Sequence, residues 1–278
     1  MVKFSHTVFA LPFALAAMLL PRRGLPDAAT IGWILAAMVG ARTAAMTFNR
    51  LADHALDARN PRTAGRALPA GAISRRFAAV ALVLSIALFL GAAAALGRLC
   101  LLLAFPTLVV LLGYSMTKRF TPLCHLALGI ALGISPMGAY LGVAGAFDAG
   151  FLAAGCLGAA VALWVAGFDA IYACQDVDSD RALGLHSLPA RFGIPAALRI
   201  AAGLHAAAAG LFFSYGVLAG LGAAYFAAAG VAALLLVLEH RLVRPDDLAR
   251  VNLAFFHLNA GVSLLVLAGT GLDIFLRG

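Results

Sequence analysis

Nine times along its 278 residues the chain runs apolar for a stretch of the roughly 20 residues that an α-helix needs to cross a bilayer. The runs fall near 4–20, 28–48, 77–97, 99–116, 123–146, 151–171, 196–215, 219–239 and 251–275. Hydrocarbon offers no partner to a backbone N–H or C=O, so each run is predicted to be helical. The expected fold is therefore all-α and polytopic. The third and fourth runs are divided only by Gly97-Arg98-Leu99, and the turns near Asp148 and Gly216 are as brief. Composition agrees: 12% of residues are charged, against about 25% in soluble domains. The opening MVKFSHTVFALPFALAAMLLPRRG has no convincing small-residue cleavage site and begins a series of like runs. It is read as a first span, not a signal peptide. Residues 1–278 are read as a single domain.

Basic residues orient the bundle, because Lys and Arg favour the cytoplasmic side. With the N-terminus inside, that side receives 15 of the 20 Lys and Arg, among them Arg59, Arg62, Arg66, Lys118 and Arg119. The outside receives 4 (Arg22, Arg23, Arg98 and Arg277), and Arg42 falls within the second run. A net charge of +8 thus reflects loop topology and gives no reason to expect a nucleic acid partner. Cys100, Cys124, Cys156 and Cys174 stand singly in or beside apolar runs, as reduced packing residues do.

Six of the twelve acidic residues gather in two places. Asn49, Asp53 and Asp57 close the second run at i, i+4, i+8, which stacks them on one helical face. In FDAIYACQDVDSDRALG, at the end of the sixth run, Asp176 and Asp180 repeat the i, i+4 spacing, and Asp169 lies two turns earlier. Like charges so spaced repel, and ionised groups at membrane depth are expensive, so a positive partner is expected. Carboxylate and amide oxygens suit Mg²⁺, which commonly binds through one or two carboxylates together with substrate phosphates. The plainer reading is a set of solvated loop acids paired with nearby Arg, about 0–1 kcal/mol per exposed pair. Arg62 and Arg66 would be one turn apart if their stretch were helical, and Lys118-Arg119 closes the fourth run. Arginine forks match phosphate oxygens.

With these residues in place, the chain resembles the UbiA family of intramembrane prenyltransferases. The family pattern NDxxDxxxD stands here as Asn49, Arg50, Asp53 and Asp57, and its DxxxD as Asp176 and Asp180. NRLADHALDARNPRTAGRALPAG, YSMTKRFT and FSHTVFALPFAL are similar to the 4-hydroxybenzoate polyprenyltransferase branch. Arg50 departs from the pattern, standing where many members carry Asp. An Asn-Arg start is similar to a UbiA-like group thought to prenylate a dihydroxynaphthoate in menaquinone synthesis.

The resemblance implies nine helices around a central cavity open to the membrane. It implies Mg²⁺-dependent transfer of a polyprenyl group from its diphosphate to an aromatic acid, 4-hydroxybenzoate first among acceptors, in a bacterial inner membrane with the site facing the cytoplasm. Mg²⁺ would rest on Asn49, Asp53, Asp57, Asp176 and Asp180. Arg62, Arg66, Lys118, Arg119 and Tyr172 would meet the diphosphate, and Asp169 or Tyr172 would orient the acceptor or take its proton. The seven histidines form no metal-ligand cluster and are read as packing or interfacial residues, with His54 and His186 the minority candidates for substrate contact, while Asn252, His257 and Asn259 form a polar stripe suited to interhelical hydrogen bonds. An ion-coupled transporter is the rival from another class, and it would place acids near the bilayer midplane on interrupted helices.

Overall fold

A computed structural model of the chain describes residues 9–248, 250–251 and 254–277. Among these residues its regular secondary structure is all helical, apart from one isolated bridge between Arg244 and Asp247. The elements are α1 (Leu11–Met18), α2 (Ala28–Ala52), α3 (His54–Arg59), α4 (Arg75–Leu96), α5 (Arg98–Thr117) and α6 (Cys124–Ala144). There follow α7 (Phe151–Ala173), α8 (Val177–Ala182), α9 (Leu188–Phe192), α10 (Ile194–Leu218), α11 (Ala223–Leu242) and α12 (Asn259–Arg277). Eight of the described helices are long and apolar enough to span a membrane. The first predicted span is represented by the short α1, since Phe4–Val8 lie outside the described residues, as do Lys3, His6 and Asn252.

Local chemistry sets most of the boundaries. Asp27 caps α2 by accepting from the Thr30 backbone N–H at 2.9 Å, and Ser74 caps α4 by accepting from Phe77 N–H at 3.1 Å. Gly97 divides α4 from α5 with φ of 126°, a conformation that a side chain would strain. Pro106 and Pro136 lie inside α5 and α6, tolerated as prolines are where neighbouring helices re-satisfy the backbone. The last span begins with a π-helical turn, Ala254–Leu258.

The centre of the bundle is α7, two-thirds of whose span is buried (67%), whereas α4 and α5 are 22% buried and turn broad apolar faces outward. Small residues draw α6 and α7 together. A Cβ on Gly129 would run into the Ala162 backbone, and one on Gly133 into the Gly158 carbonyl. On the other side of α7 an aromatic core joins α1, α10 and α12: Phe13 stacks on Phe212 at 5.8 Å and meets Trp164 edge-on at 5.2 Å. Polar groups stitch the same region. Trp164 Nε1 donates to Asn259 at 2.6 Å, and Asn259 Nδ2 donates to Glu239 at 3.0 Å. His205 shares its two ring nitrogens between the Trp164 carbonyl at 3.1 Å and His240 at 3.0 Å. The Asn259 part of the expected stripe is thus an interhelical connector.

Candidate active site

Between α2, α4, α5, α6 and α7 lies a cavity of about 800 Å³. One end is walled by apolar side chains such as Ile34, Met38, Phe89, Leu103 and Leu132, and the other by Asn49, Asp53, Asp57, Lys118, Asp169 and Asp176. The polar end is where α2, α5 and α7 finish and α6 begins, so alternating helix direction brings four distant segments to one end of the bundle.

Asp53 lies at the junction of α2 and α3, with φ −93° and ψ 7°. Helical hydrogen bonds still run through it, from Asp53 N–H to Asn49 O at 2.9 Å and from Asp57 N–H to Asp53 O at 2.7 Å. Asn49, Asp53 and Asp57 therefore share one face, as their spacing predicts. The Asp53 side chain is 2% exposed and accepts from Lys118 Nζ at 2.5 Å, Arg119 Nη2 at 3.0 Å and Asn49 Nδ2 at 3.2 Å. Arg119 also donates to Ala52 O at 2.8 Å, a cation at the negative end of α2. Asp57 accepts from Arg66 Nη1 at 2.6 Å, and its Oδ2 lies 3.6 Å from Arg50.

Opposite them, Asp176 ends α7 in a 3₁₀ turn, Cys174–Asp176. Arg62 grips it with both Nε, at 2.7 Å, and Nη2, and Asn60 Nδ2 donates to it at 3.1 Å. Arg62 also donates to the Tyr172 hydroxyl at 3.0 Å, with its guanidinium 5.1 Å from the ring centroid. Burial opposes the Arg62 charge, but the Asp176 hydrogen bonds outweigh it and hold the guanidinium above its ordinary pKa. Asp180 accepts from Ser187 Oγ at 2.5 Å. Asp178 is exposed and stands outside the cavity wall.

One expectation changes, and two cavity residues went unpredicted. The 60–74 stretch is a loop of turns, so Arg62 and Arg66 are not successive positions of one helix; each reaches its own acid across the cavity mouth. Neither His54 nor His186 lines the cavity, but His125 does. Its Nδ1 bonds Asp169 Oδ2 at 2.6 Å and its Nε2 accepts from Leu188 N–H at 3.2 Å. The signal for it was positional: it opens the fifth apolar run, at the same end as the acids. Arg42 is the other addition, a cation in the cavity wall seven residues before Asn49.

Asn49, Asp53, Asp57, Asp176 and Asp180 all line the one cavity, yet among the described residues no three His, Cys, Asp or Glu converge to cage an ion. The donor set is oxygen throughout. Asp57 Oδ2 is buried with no hydrogen-bond partner among the described residues, and its nearest cation is Arg50 at 3.6 Å.

The sequence matches the UbiA prenyltransferase family over residues 10–261. It is 34% identical over 254 residues to the 4-hydroxybenzoate octaprenyltransferase of Aeromonas salmonicida, covering 90% of this chain and 85% of the relative. An apo structure of a UbiA homolog from Aeropyrum pernix K1 is 38% identical, with TM-score 0.89, and the match covers 98% of this chain and 99% of that one. A UbiA homolog from Archaeoglobus fulgidus bound to GPP and Mg²⁺ shares the fold at 20% identity, with TM-score 0.68 over 97% of this chain and 95% of that one. A polytopic helical bundle whose two acidic faces meet at one end of an apolar cavity, with the family match running through both, leaves one assignment: this chain is an integral membrane protein of the UbiA prenyltransferase family.

Proposed function

We propose that the protein, acting as one domain over residues 1–278, transfers a polyprenyl group from its diphosphate to an aromatic acid, with 4-hydroxybenzoate as the acceptor. The observation that carries this reading is the cavity itself: an apolar space between helices, lined at one end by paired acids and phosphate-matching cations. The excess of basic residues at that end supports a site on the cytoplasmic face of a bacterial inner membrane.

Mg²⁺ would be held by Asp53, Asp57, Asp176 and Asp180 with Asn49, and when bound it would neutralise charge building on the departing diphosphate. Lys118, Arg119, Arg62 and Arg66 turn from these acids to the phosphate oxygens. The apolar wall houses the isoprenoid and excludes water from the allylic cation. Arg42 and Asp169 each stand seven residues inward from Asn49 and Asp176, about 10 Å along their helices at 1.5 Å per residue. At that depth Arg42 meets the acceptor carboxylate and Asp169 takes the proton lost from the ring, with Tyr172 beside the diphosphate. Asp53, Asp57 and Asp176 are each held by a cation, which weakens them as bases; Asp169 is held by a histidine.

Arg50, placed 3.6 Å from Asp57 where the family pattern has an acid, favours dihydroxynaphthoate as a second acceptor to test. Purified protein with Mg²⁺ and geranyl diphosphate should yield geranyl-4-hydroxybenzoate by mass spectrometry, and EDTA should abolish it. A geranylated naphthoate alone would move the acceptor; no product with either aromatic acid would overturn the reading.

A further inference from the structure

His125 is 4% exposed, sits in the first turn of α6, and bonds through both ring nitrogens. One of those bonds fixes its tautomer. A backbone N–H can only donate, so Nε2, which receives Leu188 N–H at 3.2 Å, is the bare lone pair. In the neutral ring the proton is then on Nδ1, donated to Asp169 Oδ2 at 2.6 Å. The carboxylate is pinned by one oxygen, leaving Oδ1 for the cavity that Asp169 lines.

We infer that His125 is a positioning residue for the ring-proton acceptor: it locks Asp169 in the orientation from which Oδ1 receives the proton. This rests on the aromatic prenyl transfer proposed above. In that reaction the C–O bond to diphosphate breaks with its electron pair leaving on diphosphate, and the acceptor's ring carbon forms the new C–C bond. The proton on that carbon passes to Asp169 Oδ1, and its C–H electron pair restores the aromatic ring. A neutral histidine in this tautomer orients a carboxylate without offsetting its charge, whereas a guanidinium would offset it. The lock is also tied to the diphosphate side of the cavity, because Ser187, the residue before Leu188, donates to Asp180 at 2.5 Å. Movement of the 187–188 backbone therefore reaches both Asp180 and His125.

The test uses the detergent-purified full chain with Mg²⁺, geranyl diphosphate and either 4-hydroxybenzoate or its 3,5-dideuterated form. Wild type should show an isotope effect on kcat close to 1, because ring-proton loss to a well-placed base is fast. His125→Leu should lower kcat about 10²-fold, the scale of a 1 Å misplacement, leave KM for geranyl diphosphate unchanged, and produce a primary isotope effect. His125→Asn, which keeps an N–H near the Nδ1 position, should recover most of kcat. If His125→Leu does not accumulate, Leu188→Pro removes the donor to Nε2 at a helix N1 position that accepts proline, and should bring out the same isotope effect. A folded His125→Leu or Leu188→Pro protein with wild-type kcat, or with reduced kcat and no isotope effect, overturns the inference. Asp169→Asn separates the two levels. Loss of turnover in Asp169→Asn with none in the His125 variant removes only the positioning role, whereas wild-type turnover in Asp169→Asn removes Asp169 as the base.

Discussion

Replacing Asp53 by Asn isolates the centre of the site, because it removes a charge while keeping the shape. Asp53 makes ion-pair hydrogen bonds to Lys118 and Arg119; an Asn oxygen would still accept from both cations but would lose the Coulomb attraction between opposite charges, about 0.5–2 kcal/mol for each partly exposed pair. The two losses together come to roughly 1–4 kcal/mol. The cations, however, are 31% and 28% exposed and regain water when released, which brings the expected loss of stability down to about 1–2 kcal/mol. Catalysis should lose more: removing a preorganised group that stabilises leaving charge lowers kcat about 10²–10³-fold, or roughly 3–4 kcal/mol of barrier. A thermal melt in detergent reads the first quantity, and geranyl transfer to 4-hydroxybenzoate reads the second. A folded Asp53→Asn protein with wild-type turnover would refute the role given to both the carboxylate and its two cations.

Arg42→Met should raise KM for 4-hydroxybenzoate at least tenfold, about 1.4 kcal/mol, while leaving KM for geranyl diphosphate near wild type; steady-state kinetics in each substrate checks it. Asn259→Leu strips a partner from both Trp164 and Glu239 and should lower stability by about 2–6 kcal/mol, from two buried groups left unsatisfied at about 1–3 kcal/mol each. Its readout is the denaturation midpoint of the purified protein. Gly133→Val forces the α6–α7 seam apart at the Gly158 carbonyl and should lower the same midpoint, whereas Gly155→Ala, with open space around it, should not.

The spans were legible because lipid imposes one rule on every stretch that crosses it. Where a polar or conformational marker stood between runs, the boundary fell close to its place, as at Gly97. Where none stood, it moved: the turn after α10 runs from Ala219 to Gly222, later than expected, because Gly216–Gly222 is apolar throughout and offers no polar break. The acidic faces were legible from i, i+4 spacing, since a helix turns spacing into adjacency. Adjacency between helices leaves no such trace. Arg62 meets Asp176 across 114 residues, and His125 meets Asp169 across 44. The 60–74 loop misled for the opposite reason: Arg62 and Arg66 are spaced as on a helix, but Pro61, Gly65, Pro69 and Gly71 break it.

On the function proposed above, the ion pairs at the cavity mouth also make the site a coincidence detector. A dication arriving alone finds Asp53, Asp57 and Asp176 already gripped by Lys118, Arg119, Arg66 and Arg62. An anion arriving alone finds those same cations engaged. Each must break existing pairs and leave a charge stranded, whereas the two together satisfy every group that is released. Each should therefore raise the affinity for the other by the same factor, and the site should discriminate against free phosphate and free metal by withholding from either the half that it needs.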